Sequence, residues 1–122
     1  MGTFTVPIQI GDLAGKQFIQ VTALVDTGST YATLPGSILA KLGIEREGRR
    51  RFELADNRIV EYPIGQARIR LEGQELIVLV VFAPEGTDPL LGATVLEIFG
   101  LGVDPLNRRL APIPALLKRL VS

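Results

Sequence analysis

The chain has 122 residues, 47% of them hydrophobic, which is enough for one compact core and too few for two, so a single domain is expected across residues 1–122. Thirteen basic and thirteen acidic side chains cancel, leaving no global field to draw the protein to nucleic acid or anionic lipid, and neither is an expected partner. Without cysteine or histidine there are no disulfides, no thiolate chemistry and none of the usual ligands of zinc, copper or haem, so no metal and no cofactor is expected.

The start, Met1 to Thr5, lacks the basic-then-apolar pattern of a secretion signal, and the longest apolar run, Leu76 to Ala83, is too short to span a bilayer. A cytoplasmic protein without a membrane partner is the expectation. Phe4, Val6, Ile8 and Ile10 alternate with Thr3, Thr5, Pro7 and Gln9, the period of a half-buried strand. After the turn residues Gly11 to Gly15, Ile19, Val21, Ala23 and Val25 form the returning arm of a hairpin, which ends on Asp26.

Pro35 to Gly43 is predicted as a short helix with Leu34, Ile38, Leu39 and Leu42 on one face, Pro35 in its first turn and Gly43 as its stop. The run Arg46-Glu47-Gly48-Arg49-Arg50-Arg51 reads as a solvated loop. A second hairpin sets Phe52 to Ala55 against Ile59 onward, with Asp56 and Asn57 at a projecting tip. Along its return arm the apolar residues are even-numbered to Ile64 and odd-numbered from Ala67, which calls for an extra residue or a bend near Gly65.

Leu76 to Phe82 is apolar at every position and is predicted to be a central strand buried on both faces. A loop over Pro84 to Pro89 leads to a short buried piece, Leu90-Leu91-Gly92. Thr94 to Glu97 has the pattern of a capping box opening a helix through Phe99, stopped by Gly100. Asp104 to Asn107 reads as a turn, Arg108 to Pro112 as a last strand, and Ala115 to Val121 as a tail. The order repeats itself, as hairpin, apolar strand, loop and short helix, with Asp-Thr-Gly in the first copy and Leu-Leu-Gly in the second.

A lone Asp-Thr-Gly carries little information, but its setting carries more. Here it ends an apolar strand, is followed by two further hydroxyls, and precedes a hairpin and an apolar-apolar-Gly segment. In these features the chain resembles the retropepsin-type, or retroviral-like, aspartic proteases. Leu24 to Ser29 match the active-site loop, the hairpin around Asp56-Asn57 the flap, and Leu90-Leu91-Gly92 with the following helix the second conserved segment. The resemblance implies a mostly β, single-domain acid protease fold, with a closed β-barrel-like core, a flap hairpin and one or two short helices.

It also implies an aspartic endopeptidase acting as a homodimer on an extended peptide or unfolded protein. Asp26 would be the catalytic residue, facing its symmetry mate across a twofold axis. Two carboxylates at hydrogen-bond distance share one proton and hold a water between an acid and a base. Thr27 would send its hydroxyl across the interface, Gly28 would allow close backbone approach, and Ser29 would donate to Asp26 and favour its ionised form. Leu90, Leu91 and Gly92 would support the site. Leu24, Ile59 and Leu90 would line apolar pockets, and the tip residues Ala55, Asp56, Asn57 and Arg58 would close over the peptide.

The chain departs from the viral pattern in two places. An acid after Asp-Thr-Gly and an arginine after the later glycine often pair to support the dimer, and here those positions are Thr30 and Ala93. The flap tip also lacks the glycine-rich viral sequence, which places the chain nearer the stand-alone prokaryotic relatives. The strands at Thr3 to Ile10 and Leu110 to Pro114 would leave sheet edges exposed in a monomer and available to a dimer.

Other readings of the same residues exist. Asp26 would then merely cap a turn in which Gly28 supplies a positive dihedral, or the fold would serve as a catalytically weak or inactive dimeric peptide-binding module. A phosphate loop of the actin-like ATPases is excluded by size, since those folds need two large lobes and a second phosphate loop.

Overall fold

The computed structural model describes residues 4–118; the expected strand residue Thr3 and the expected tail at 119–121 lie outside them. The first hairpin forms as its alternation predicts: β1 (Phe4–Gly11) pairs along its whole length with β2 (Phe18–Val25), Phe4 opposite Val25. Phe4, Ile8, Ile10, Ala23 and Val25 are buried while Thr5 and Pro7 face solvent, as period-two burial requires.

Beyond the loop at 26–31, β3 (Ala32–Pro35) leads directly into α1 (Gly36–Lys41). This corrects the predicted helix at its start: Leu34 is 1% exposed, yet it lies on a strand pairing with Phe82, and the helix begins only after Pro35. Gly43 takes the left-handed conformation at φ 69°, as its place after the helix predicts.

The second hairpin joins β4 (Gly48–Glu53) to β5 (Ile59–Leu71), and β6 (Gln74–Ala83) returns antiparallel to β5. The arginine run is therefore a strand and not a loop from Gly48 on; it is exposed, and among the described residues β4 pairs with β5 alone. No residue is inserted at Gly65, since both registers of β5 run without interruption. The apolar parity changes where β5 exchanges β4 for β6 at Ile64, and Gly65 is needed because a Cβ there would stand 2.4 Å from the Glu45 carbonyl oxygen.

Strand β6 is central, between β3 and β5, but its burial on both faces holds only from Val80 to Ala83. Ile77 is 42% exposed, so the early part of the run is covered on one face. Next come β7 (Leu90–Leu91), α2 (Ala93–Phe99), β8 (Leu101–Asp104) and β9 (Arg109–Pro112). The sequence reading missed β8, which pairs only with β9 in a separate two-stranded sheet.

Strands β1, β2, β7, β3, β6 and β5 are neighbours in that order, and β1 returns to β5 through Gln9 to Gly11. The ring is a closed six-stranded barrel, filled by Ile10, Leu34, Ile69, Val80 and Leu91, with Leu39 and Val95 packing on it from the helices. Closure also corrects the expectation of a free first strand: β1 is paired on both sides at Gln9 to Gly11, and only its earlier part keeps an open edge. The hairpin arm of β4 with Ile59 to Pro63 stands outside the ring, as its projecting tip predicts. No helix among the described residues is long and apolar enough to cross a membrane.

Candidate active site

β7 lies between β2 and β3, parallel to the first and antiparallel to the second. The connection from β2 to β3 must therefore arch over the end of β7, and residues 26–31 are that arch. Leu24 opposes Leu90 and Val25 opposes Leu91, so the two copies of the repeat meet with Asp26 and Gly92 next in line. The Asp26 N–H donates to the Leu91 carbonyl at 3.0 Å, continuing the ladder through the acid.

Past Asp26 the backbone turns, with the Ser29 N–H donating to the Asp26 carbonyl at 3.1 Å. Both carboxylate oxygens have donors: Gly28 N–H to Oδ1 at 2.9 Å, and Ser29 Oγ to Oδ2 at 3.3 Å. The expected donation from Ser29 is thus present. Gly28 does not supply a positive φ, contrary to the turn-capping reading; a Cβ there would stand 3.2 Å from Oδ1, so glycine keeps the carboxylate uncrowded. Asp26 is half-buried, Thr27 and Gly28 are exposed, and the Thr27 hydroxyl has no partner among the described residues.

The other side of the arch rests on α2. The Ser29 carbonyl accepts from Ala93 N–H at 2.8 Å and the Thr30 carbonyl from Thr94 N–H at 2.9 Å. Two of the N–H groups that every helix start leaves unpaired are capped in this way by the loop itself. The predicted capping box is accordingly not formed: Gly92 occupies the cap position, no side chain caps α2, and Thr94 lies within the helix. Gly92 is buried against the loop, where a Cβ would meet the Ser29 oxygen and the Thr30 carbonyl carbon at 2.6 Å each. Leu91, 0% exposed, anchors the same segment in the core.

A groove of about 610 Å³ runs between this loop and the β4–β5 hairpin, lined by residues that include Gly28, Ser29, Thr30, Tyr31, Arg50, Phe52, Tyr62 and Leu90. Of the three pocket residues expected from sequence, Leu90 lines it, while Leu24 and Ile59 do not; Ile59 is 51% exposed on the hairpin. Nor do the tip residues Ala55 to Arg58 reach the groove, where Leu54 is the contributing end of the hairpin. The tip instead bonds within itself: Asn57 adopts φ 68°, Leu54 N–H donates to the Arg58 carbonyl, and Arg58 Nε pairs with Asp56 at 2.6 Å. Asn57 thus takes the left-handed turn position without glycine.

The sequence reading overlooked a cluster bridging loop and hairpin. Arg50 donates from a terminal guanidinium nitrogen to the Tyr31 hydroxyl at 2.7 Å, its guanidinium 5.4 Å from the ring centroid. Phe52 meets Tyr31 edge-on at 6.1 Å and stacks with Tyr62 at 6.2 Å. Both tyrosines of the chain are in this cluster, which was the available signal. Among the described residues, no group of three or more acidic side chains is placed to hold a metal ion.

Solved structures similar in fold are proteases or protease-like domains. The retroviral protease-like domain of Ddi1 from Leishmania major matches with a TM-score of 0.57 and 15% identity, over 99% of both chains. A retropepsin-like aspartic protease from Rickettsia conorii matches with a TM-score of 0.53 and 19% identity, over 84% of this chain and 88% of its own. The EIAV protease, complexed with the inhibitor HBY-793, matches with a TM-score of 0.53 and 21% identity, over 81% and 89%. No curated protein sequence matches the chain at a significant level. A family model described as "gag-polyprotein putative aspartyl protease" matches residues 12–97, more than half of the chain and all of the loop, hairpin and Leu-Leu-Gly segment. On that match, and with a barrel of the same fold, the chain belongs to the retropepsin-type aspartic protease family.

Proposed function

We propose that the protein is an aspartic endopeptidase that hydrolyses extended peptides with a water held between Asp26 and Asp26 of a second, identical subunit. The observation that carries this reading is the presentation of Asp26. Its carboxylate is fixed through Gly28 and Ser29, lies at the end of a barrel strand rather than in the core, and adjoins a groove open to a peptide.

The chain contains Asp-Thr-Gly once, and the second copy of its repeat carries Leu-Leu-Gly, so a dyad takes two chains. A closed twofold dimer supplies it. Thr27, exposed and with its hydroxyl unbonded among the described residues, is suited to reach the partner's loop. With one proton shared by the pair, the ionised carboxylate takes a proton from water as its oxygen attacks the peptide carbonyl. The protonated carboxyl gives its proton to the carbonyl oxygen. Collapse of the resulting gem-diol breaks the C–N bond, with the amine nitrogen protonated as it leaves. The β4–β5 hairpin would cover the peptide, its tip from Ala55 to Arg58 meeting the substrate once the partner is present.

The test is Asp26→Asn against the native chain, on a peptide library and an unfolded protein, with oligomeric state followed by sedimentation. Asp26→Asn is expected to lose cleavage by at least about a thousandfold while remaining dimeric, because the amide can neither accept the water proton nor share one. Cleavage that persists in the variant, or a native chain that cleaves as a monomer, would overturn the dyad. A native dimer that binds peptides without cutting them would favour the binding-module reading.

A further inference from the structure

We infer that Arg50 is the carboxylate-recognising residue of the groove, so that the preferred peptide carries an Asp or Glu side chain where it lies against β4. The inference rests on the peptide-cleaving reading and goes on to specify its substrate.

Three charged residues, Arg50, Arg51 and Glu53, line the groove, all from β4. Alternation along a strand puts Arg50 and Phe52 on one face and Arg51 and Glu53 on the other. The Tyr31 contacts of both Arg50 and Phe52 show that theirs is the face toward the active-site loop. The charge presented there is the Arg50 guanidinium, set among Tyr31, Phe52 and Tyr62, with Leu54, Val81 and Leu90 as further apolar walls.

Five other arginines have carboxylate partners. Arg49 pairs with Glu61, Arg58 with Asp56, Arg68 and Arg70 with Glu75, and Arg109 with Asp104. Arg46, Arg50 and Arg51 have none among the described residues, and of these Arg50 is the one held on the face toward the active-site loop, by its hydrogen bond to the Tyr31 hydroxyl. A guanidinium offers five N–H donors in a planar fork that fits a carboxylate. One is used in holding the side chain still, and the rest remain for a ligand. Tyr31 and Arg50 line the same groove as Gly28 and Ser29, so an acid held here would belong to the peptide that lies beside Asp26. A charge-assisted contact at a half-open site gives about tenfold or more in discrimination.

The experiment compares native chain, Arg50→Met and Arg50→Glu on peptides identical but for Glu, Gln or Lys at each position in turn. Urea midpoints establish that the variants fold. The native chain is expected to cleave one Glu peptide about tenfold or more faster in kcat/KM than its Gln counterpart, with the ratio falling as salt rises. Arg50→Met should bring the ratio near one, and Arg50→Glu should turn the preference toward Lys. Cleavage without a Glu preference, or a preference that survives Arg50→Met, overturns the inference and leaves the peptidase reading standing. In parallel, peptides with a reduced scissile bond are titrated while the Arg50 Nε–H resonance is observed. A Glu-dependent shift without cleavage keeps the carboxylate recognition and removes the peptidase reading; no shift and no cleavage removes both.

Discussion

Gly92→Ala isolates the contact that seats the active-site loop. The residue has φ −93° and ψ −179°, ordinary for alanine, so the substitution meets steric resistance alone. Its Cβ would stand 2.6 Å from both the Ser29 oxygen and the Thr30 carbonyl carbon, and these backbone atoms would have to retreat by roughly 0.8 Å to reach ordinary contact. That retreat stretches the bonds from Ala93 and Thr94, now 2.8 and 2.9 Å, beyond hydrogen-bonding range. Overpacking costs about 1–3 kcal/mol and each of the two weakened bonds about 0.5–1.5, so a loss of about 2–6 kcal/mol is expected. With no tryptophan in the chain, urea unfolding is best followed by far-UV circular dichroism, at one fixed protein concentration. At a slope of about 1.5 kcal/mol/M the midpoint should fall by at least about 1.3 M. Gly43→Ala is the control: it has φ 69° but nothing within 4 Å of the added methyl, and should cost only about 1–2 kcal/mol. If Gly92→Ala unfolds within about 0.5 kcal/mol of the native chain, or costs less than Gly43→Ala, the loop is not held as described.

Ser29→Ala removes the hydroxyl that donates to Asp26 Oδ2 at 3.3 Å, one of the two bonds that fix the carboxylate. With the carboxylate less firmly placed, kcat should fall by about tenfold with little change in KM; an unmoved kcat would show that the bond does not serve the reaction. Away from the site, the Ser37 hydroxyl and then its backbone N–H hold the Glu85 carboxyl below its ordinary 4.5. A depressed carboxylate adds stability above its ordinary value and loses it as pH falls through the folded one. The deficit of Ser37→Ala in urea should therefore be full at neutral pH and shrink below 4.5; a deficit equal at pH extremes would contradict the assignment.

Much of this arrangement was legible where local chemistry decides it. The Phe4 to Ile10 alternation set its own inward face, Gly43 and Gly100 ended helices in left-handed conformations, and Asn57 marked a tight turn. Long-range partners decided the rest. Ala32–Pro35 is a strand only because β6 and β7 flank it, and with Leu34 four residues before Ile38 it imitates a helical stripe. The charged Gly48–Arg51 stretch shows no strand alternation because all four residues are exposed, and its role comes from pairing with β5. Thr94 and Glu97 have capping-box spacing, but carbonyls some sixty residues away in the chain took the donors first. Asp26, Gly28 and Ser29 were readable because their bonds close within three residues, whereas Tyr31 and Arg50 meet across nineteen.

The arch over β7 also bears on when the site comes into being. The bonds described for the Asp26 loop, from Leu91, Ala93 and Thr94 to Gly28 and Ser29, are all made inside one chain. Each chain thus carries the bonds that shape its own half of the proposed site. In the proposed dimer, association is the docking of two finished surfaces rather than the construction of a loop. There the partner would contribute the second carboxylate and the loop that Thr27 reaches, so cleavage should rise steeply with the concentration of the protein itself.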